Sequence, residues 1–355
     1  RDLTNLPMTG AYEVLVDPYQ TNTGQVNLQL LGDAPGSLGV DGGVLPVSLS
    51  PGQNGSYSFD GVVGQDLGLG IGNLVTSPTG GSVTVTVYAP GNTTTAYYSC
   101  GSFYAPGGEC DLVNLPSTGS YTVRVDTTGS YAATLDLSLS QDVTGSLEAN
   151  GAAVTFATSR VGQNGRYVFN ATAGQNLSLL WSGATFAGSS NQIQVLKPDG
   201  SVLTSNSVGT SSASGIRDLT NLPMTGAYEV LVDPYQANTG QVDLMLLAEA
   251  VGSIAVDGDP FALSVSPGAN GRVSFVGTTG QRLALLITGL ETDPAGGTIK
   301  LAVYSPTAVQ VSTCTVSSAT QCQLPDLPAD GSYSILVEPQ SLFSAVMAIS
   351  AFTVW

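Results

Sequence analysis

Twenty consecutive residues of this chain occur twice. Residues 1–20 read RDLTNLPMTGAYEVLVDPYQ, and residues 217–236 repeat them letter for letter. The likeness runs on through QTNTGQVNLQLL (20–31) and QANTGQVDLMLL (236–247), and looser copies stand at 111–126 and 326–338. A chain that repeats itself this way is an array, and its fold must be one that repeats too.

The markers within the array define its period. Gly36-Ser37-Leu38, Gly145-Ser146-Leu147 and Gly252-Ser253-Ile254 are 109 and 107 residues apart. They divide the chain into residues 1–34, the C-terminal half of a B-type repeat, then 35–142 (type A), 143–250 (type B) and 251–355 (type A). Each complete unit carries the same signals in the same order. A first turn (PGQNG, VGQNG or PGANG) offers Asn-Gly for the positive φ of a tight hairpin. A second turn ends in Gly-Gln, a strand of alternating leucines follows, and the LP…G-x-Tyr motif closes the unit. Apolar residues alternate with period two and no amphipathic helix is evident, so the expected fold is all-β. Short connections favour antiparallel pairing over the long crossovers that parallel strands need. The expectation is tandem antiparallel β-sandwiches, of immunoglobulin-like or jelly-roll-like type, with seven to nine strands each, strung into an extended array. Short linkers at 33–35 and 142–144 would join the beads.

These residues resemble a known family. The string GQNGRYVFNATAGQNLSLL, followed by IQVLKPDGSVL and LTNLPMTGAYEVLVDP, is similar to the bacterial pre-peptidase C-terminal (PPC) domain. It is closer still to PPC-like modules arrayed in large secreted and cell-surface proteins, including RHS/YD-repeat wall-associated proteins. The resemblance covers all three units and implies secreted, non-catalytic β-sandwich modules. It carries over neither a peptidase nor an RHS activity.

Composition narrows function mainly by exclusion. The net charge is −17 with nine lysines and arginines in all, which disfavours a nucleic-acid partner. The absence of histidine removes the usual general base and the commonest metal ligand. No apolar run is long enough to insert in a membrane. The chain opens on Arg1, not Met, and is read as processed or as a segment of something longer. Cys100 with Cys110, and Cys314 with Cys322, occur only in the A-type units and come and go as pairs, which reads as two disulfides and an oxidising, extracellular or cell-surface setting.

Candidate residues follow from position in the repeat. Tyr12, Tyr121, Tyr228 and Tyr333 stand five residues after the motif proline, where a tyrosine corner would put the ring in the core. Leu15, Leu231 and Leu336 fall on the opposite, outer face of the same strand and are candidates for an apolar interface stripe. Asn54, Asn92, Asn170 and Asn176 open N-x-Ser/Thr sequons and are candidate glycosylation sites. Asp17, Asp126, Asp233 and Glu338 share one slot and read as turn-capping carboxylates rather than acid/base groups. Asp257 with Asp259, and Asp60 with Asp66, are the pairs weighed for calcium, and neither makes an EF-hand. No cofactor, metal site or catalytic residue is assigned. Tyr97, Tyr98, Phe103 and Tyr104 form the one aromatic cluster, read as packing of the disulfide loop ahead of a glycan surface.

The expected function is a non-catalytic extracellular structural protein whose copies assemble with one another into a filament, sheath or surface layer. The alternatives are a cell-surface adhesin or stalk that binds polysaccharide or a host surface, and an accessory region of a secreted enzyme. Residues 1–34 cannot build a unit alone. They either belong to a longer array, the simpler reading, or complete a unit in a neighbouring subunit by strand addition.

Overall fold

A computed structural model describes residues 3, 6–92 and 94–354. Among them there is no helix. The first nine strands are β1 (Ala34–Ser37), β2 (Leu45–Leu49), β3 (Asn54–Gly61), β4 (Leu67–Ser77), β5 (Val83–Tyr88), β6 (Tyr98–Phe103), β7 (Gly108–Leu112), β8 (Gly119–Thr127) and β9 (Ala132–Gln141). The next nine are β10 (Val143–Ser146), β11 (Val154–Thr158), β12 (Gly165–Ala171), β13 (Leu177–Ser182), β14 (Asn191–Leu196), β15 (Val202–Val208), β16 (Gly215–Leu219), β17 (Gly226–Asp233) and β18 (Gly240–Ala248). The last nine are β19 (Ala250–Ser253), β20 (Phe261–Val265), β21 (Gly271–Gly277), β22 (Leu283–Asp293), β23 (Ile299–Tyr304), β24 (Gln310–Val316), β25 (Thr320–Gln323), β26 (Gly331–Pro339) and β27 (Ser344–Thr353).

Every group of nine divides in the same way into a five-stranded and a four-stranded sheet. In the first unit the orders are β1-β3-β8-β5-β6 and β2-β9-β4-β7, and the other two units repeat them. Alternate residues of both sheets bury into a shared core, one core per unit. The inward set of the five-stranded sheet includes Phe59, Tyr121, Val123 and Val85, and that of the four-stranded sheet Leu69, Ile71, Leu135 and Leu137.

The expectation of tandem antiparallel PPC-type sandwiches on linkers is corrected. The five-stranded sheets are mixed, because β1, β10 and β19 run parallel to β3, β12 and β21. The sixteen residues between Ser37 and Asn54 contain β2, which lies in the other sheet. That excursion is the long crossover that parallel pairing requires. The expected linkers 33–35 and 142–144 are absent as well. Only Asp142 separates β9 from β10, and only Glu249 separates β18 from β19. The chain therefore forms one continuous β stack in which each repeat leans on its neighbour, the quasi-one-dimensional arrangement of a solenoid rather than beads on a string.

The first turn is also built differently from expectation. Asn54 and Gly55 already belong to β3. The positive φ falls two residues ahead of the asparagine, on Gly52, Gly162 and Gly268 at +75°, +78° and +82°. In Ser50-Pro51-Gly52-Gln53, Gln53 N donates to Ser50 O at 2.9 Å. Proline second and glycine third is the residue choice of a type II turn.

Both disulfides form, Cys100–Cys110 and Cys314–Cys322. Loops this short give roughly 2.5–3 kcal/mol each by the chain-entropy account. Reduction is expected to lower the melting temperatures of the first and third units and leave the middle unit unchanged. Calorimetry with and without reductant checks this, and an equal shift in all three units would contradict it. Disulfides are characteristic of proteins that mature in an oxidising compartment. No described helix is long and apolar enough to cross a membrane.

Candidate functional site

Two features set this chain apart from a set of independent units: the junctions between repeats and the residues ahead of β1.

At the first junction the turn of the second unit lies flat on the outer face of β4. That face is made of glycine. A Cβ added to Gly68 would sit 1.5 Å from Gly162 O, and one added to Gly70 would sit 2.2 Å from Val161 O. Around this backbone contact Arg160 donates to Ser140 Oγ at 2.6 Å, Gly42 O at 2.9 Å and Leu139 O at 3.0 Å. Gln163 Nε2 donates to Gln141 O at 3.1 Å, and Asn164 Nδ2 to Asp111 Oδ1 at 2.6 Å. Arg166 Nε meets Asp142 at 2.6 Å and Asp66 at 3.6 Å, while its Nη1 meets Glu229 at 2.5 Å. At the second junction Arg272 takes the corresponding place, pairing with both oxygens of Glu249 at 2.8 and 2.9 Å and with Ser334 Oγ at 3.0 Å. Leu180 and Met245 of the middle unit pack against the third core there. Three of the nine cations are thus spent on holding repeats together.

The first junction is acidic and half-buried. Burial, with the charges of Asp111 and Asp233, pushes the Glu109 carboxyl up to about 8. Burial, with Asp111 and Asp142, pushes Asp233 up to about 7 against the pull of Arg166. Burial also raises Asp111 and Asp142, opposed by Asn164 and by Arg166 respectively. An acid whose folded pKa lies above its unfolded value binds more protons in the folded state, so stability falls as pH rises between the two. For Glu109 that window runs from 4.5 to about 8. The first junction is expected to be tightest near pH 4.5 and to loosen toward pH 8, and Glu109→Gln is expected to flatten the decline. Thermal melts across this range check it, and a melting temperature that rises with pH in both proteins would contradict it.

The residues ahead of β1 are the second feature. In the middle unit, Leu219, Leu222, Tyr228, Val230, Val232, Val242, Leu244 and Leu246 are at most 2% exposed. Their counterparts Leu3, Leu6, Tyr12, Val14, Val16, Val26, Leu28 and Leu30 are 50–84% exposed. The counterparts of β17 and β18 form no strand here. The local part of the motif survives nonetheless. Tyr12 OH donates to Met8 O at 2.6 Å, as Tyr121, Tyr228 and Tyr333 do to Ser117, Met224 and Ala329.

The candidate residues separate accordingly. Tyr121, Tyr228 and Tyr333 are core residues stacked on Phe59, Phe169 and Phe275 at 5.0–5.4 Å between centroids. Tyr12 makes the corner without a core, so its assignment to the core is corrected: it lacks the facing sheet. Leu15 is 81% exposed. Leu231 and Leu336 are half-buried beside Arg166 and Arg272, their register partners, so no continuous leucine stripe forms. Asn176 donates to Glu249 and accepts from Asn221 N, which makes it a structural residue. Asn92 caps its own loop by accepting from Thr94 N and Thr95 N. Asn54 is half-buried at the start of β3, and Asn170 is exposed on β12. Asp257 accepts from Thr353, and Asp66 from Asn114 N. Tyr97 packs on Tyr121 and donates to Val113 O, and Phe103 leans on the first core. Tyr98 and Tyr104 remain exposed. Phe103 and Tyr104 line a shallow cleft of about 250 Å³ together with Glu109 and Gln236.

The junction residues Gly68, Gly70, Arg160, Arg166 and Arg272 were not singled out from the sequence. One signal was available: Gly68, Gly70 and Gly72 alternate within a strand, and a strand glycine often marks a close backbone approach.

No protein-family model matches the chain, so the PPC resemblance is not upheld. No curated protein matches it either. Among solved structures the chain is similar to the PliG periplasmic inhibitor of g-type lysozyme from Aeromonas hydrophila, at 20% identity over 30% of this chain and 98% of that one, with a TM-score of 0.22. It is also similar to tripeptidyl peptidase 2, at 13% identity over 90% of this chain and 32% of that one, with a TM-score of 0.20. The CUB1-EGF-CUB2 domains of rat MASP-1 match at 8% identity over 58% of this chain and 99% of that one, again with a TM-score of 0.20. Scores this low carry no argument about fold or function.

Proposed function

We propose that this is a non-catalytic, secreted structural protein whose repeat stack assembles with further copies into a filament, sheath or surface layer. The observation that carries the reading is the construction of the junctions. At the first junction backbone is seated on glycine, and at both junctions half-buried arginine–carboxylate pairs link one repeat to the next. A flexible tether would need none of this, whereas a rod that must keep its repeats in line would. The two disulfides fit the same reading, because they brace the A-type units for an oxidising, unprotected setting. The scarcity of charge, 10% of residues, leaves outer faces of small and apolar side chains on which lateral packing carries little desolvation cost.

Electron microscopy of native, non-reduced material tests the proposal. Ordered fibres or sheets with an axial repeat tied to one or two units are expected. Isolated short rods at every concentration would sink it. The alternative of a glycan-binding stalk rests on exposed Tyr98 and Tyr104. Its test is a glycan-binding screen with Tyr98→Ala and Tyr104→Ala, in which loss of binding with assembly retained would favour the stalk.

A further inference from the structure

We propose that the cleft between the first and second repeats binds the ammonium group of an aliphatic amine, held by Glu109 and Asp233. The site stands whether the chain forms a filament or a stalk. The first junction is short of cations. Arg166 pairs with Asp66, Asp142 and Glu229. Arg160, the other cation there, spends its bonds on Ser140, Gly42 and Leu139, none of them charged. Glu109, Asp111 and Asp233 belong to the same cluster, since each feels the charge of at least one other, and none has an ion pair among the described residues. The second junction differs, because there Arg272 is matched by Glu249.

Buried acceptors in the cluster also lack donors. Asp142 and Asn164 are only 7% and 2% exposed. Their Oδ1 atoms have no hydrogen-bond partner among the described residues. The other atom of each group is engaged inside the cluster, Asp142 Oδ2 with Arg166 and Asn164 Nδ2 with Asp111 Oδ1. Both side chains are therefore aimed into it. Buried polar groups are normally paired, so orphaned acceptors beside uncompensated carboxyls call for a donor from outside the chain. Glu109 is where the cluster opens to solvent. It lines the cleft of about 250 Å³ with Gln236 of the second repeat, and Phe103 and Tyr104 form a wall. Aromatic rings attract an ammonium group through their faces.

The spacing of the acids selects the ligand class. Among the described residues no three acids are placed to hold one metal ion. An ammonium group asks less, since it donates charge-assisted N–H bonds to one or two carboxylate oxygens, and its alkyl chain has Phe103 and Pro106 to lie on. Its binding carries a proton balance. Burial and neighbouring negative charges, Asp111 and Asp233 for Glu109, and Asp111 and Asp142 for Asp233, put Glu109 at about 8 and Asp233 at about 7, with Arg166 opposing at Asp233. Below those values the two acids hold protons. An ammonium pairs with the ionised carboxylate, so the acid that takes it releases its proton to solvent and the amine keeps its own. Affinity therefore rises with pH, and the cation takes over as the junction loses its protons.

Titration calorimetry of the full chain at matched ionic strength tests this, with 1,4-diaminobutane and Nα-acetyl-lysinamide as probes and calcium chloride as the control. At pH 8 the amines are expected to bind, and at pH 5, below the values of both acids, about 10-fold or more weakly. Glu109→Gln/Asp233→Asn is expected to lose about 10-fold or more in affinity at pH 8. Binding of either amine in this pattern supports the proposal. Tighter binding of the diamine identifies a free amine as the source, and tighter binding of the lysinamide a lysine side chain. No binding of either, unchanged affinity in the double variant, or equal heats from calcium chloride overturns it. A measurement on the unaltered protein keeps the test decisive if the variant misfolds. Amide exchange of residues 102–109 is expected to slow about 10-fold with saturating diamine at pH 8, with residues 344–353 unchanged. Equal exchange with and without the amine, or uniform slowing along the chain, overturns the proposal as well.

Discussion

Tyr228→Ala is expected to destabilise the middle unit by about 3–5 kcal/mol, while Tyr12→Ala leaves global stability within experimental error. The two tyrosines sit in identical twenty-residue contexts and both donate to the carbonyl four residues back. Their environments differ. Tyr228 is fully buried and stacked on Phe169 at 5.4 Å, whereas Tyr12 is half exposed and has no facing ring. Truncating a buried aromatic leaves a cavity and removes its transfer free energy, and truncating an exposed one does neither. Chemical denaturation of both variants, followed through the middle unit, measures the difference. Equal losses would mean that the first segment is buried in solution, by self-association or by a bound partner.

Gly68→Val is expected to break the first junction without unfolding either unit. The added Cβ would fall 1.5 Å from Gly162 O, a backbone atom that cannot rotate away. Overpacking of this kind typically costs about 1–3 kcal/mol, and a rigid obstacle lies at the upper end or beyond. The turn must lift off β4, and the bonds from Arg160 to Ser140, Gly42 and Leu139 go with it. Calorimetry is expected to resolve the first unit from the others, and limited proteolysis to open a new site near Asp142. Gly129→Ala serves as the control, since its Cβ meets nothing within 4 Å, although its φ of +57° brings a small strain of its own. A single cooperative melt in Gly68→Val would show that the units are coupled by something other than this contact.

The Glu109 and disulfide predictions probe the same division between unit and junction. Reduction acts inside units, through loops closed over eight or ten residues. Titration of Glu109 and Asp233 acts between them, because these carboxylates belong to neighbouring repeats: the charge of Asp233 raises Glu109, and Asp111 and Asp142 raise Asp233.

The all-β character, the cysteine pairs and the tyrosine corner were determined by sequence alone. Each rests on local chemistry: alternation sets the buried face of a strand, and a hydroxyl four residues from a carbonyl forms its bond even in the unpaired copy. What the tertiary structure decided is everything that depends on a distant partner. Parallel entry of β1, β10 and β19 required knowing that β2, β11 and β20 cross to the other sheet. The role of Gly68 required knowing that a turn ninety-four residues later lies on it. Arg166 and Arg272 have junction partners only because the fold brings Asp142 and Glu249 beside them. The duplicated segment makes the point most sharply. Leu222, Tyr228, Val230 and Val232 are core, and their counterparts Leu6, Tyr12, Val14 and Val16 are surface, because burial is a property of the facing sheet and not of the strand that faces it.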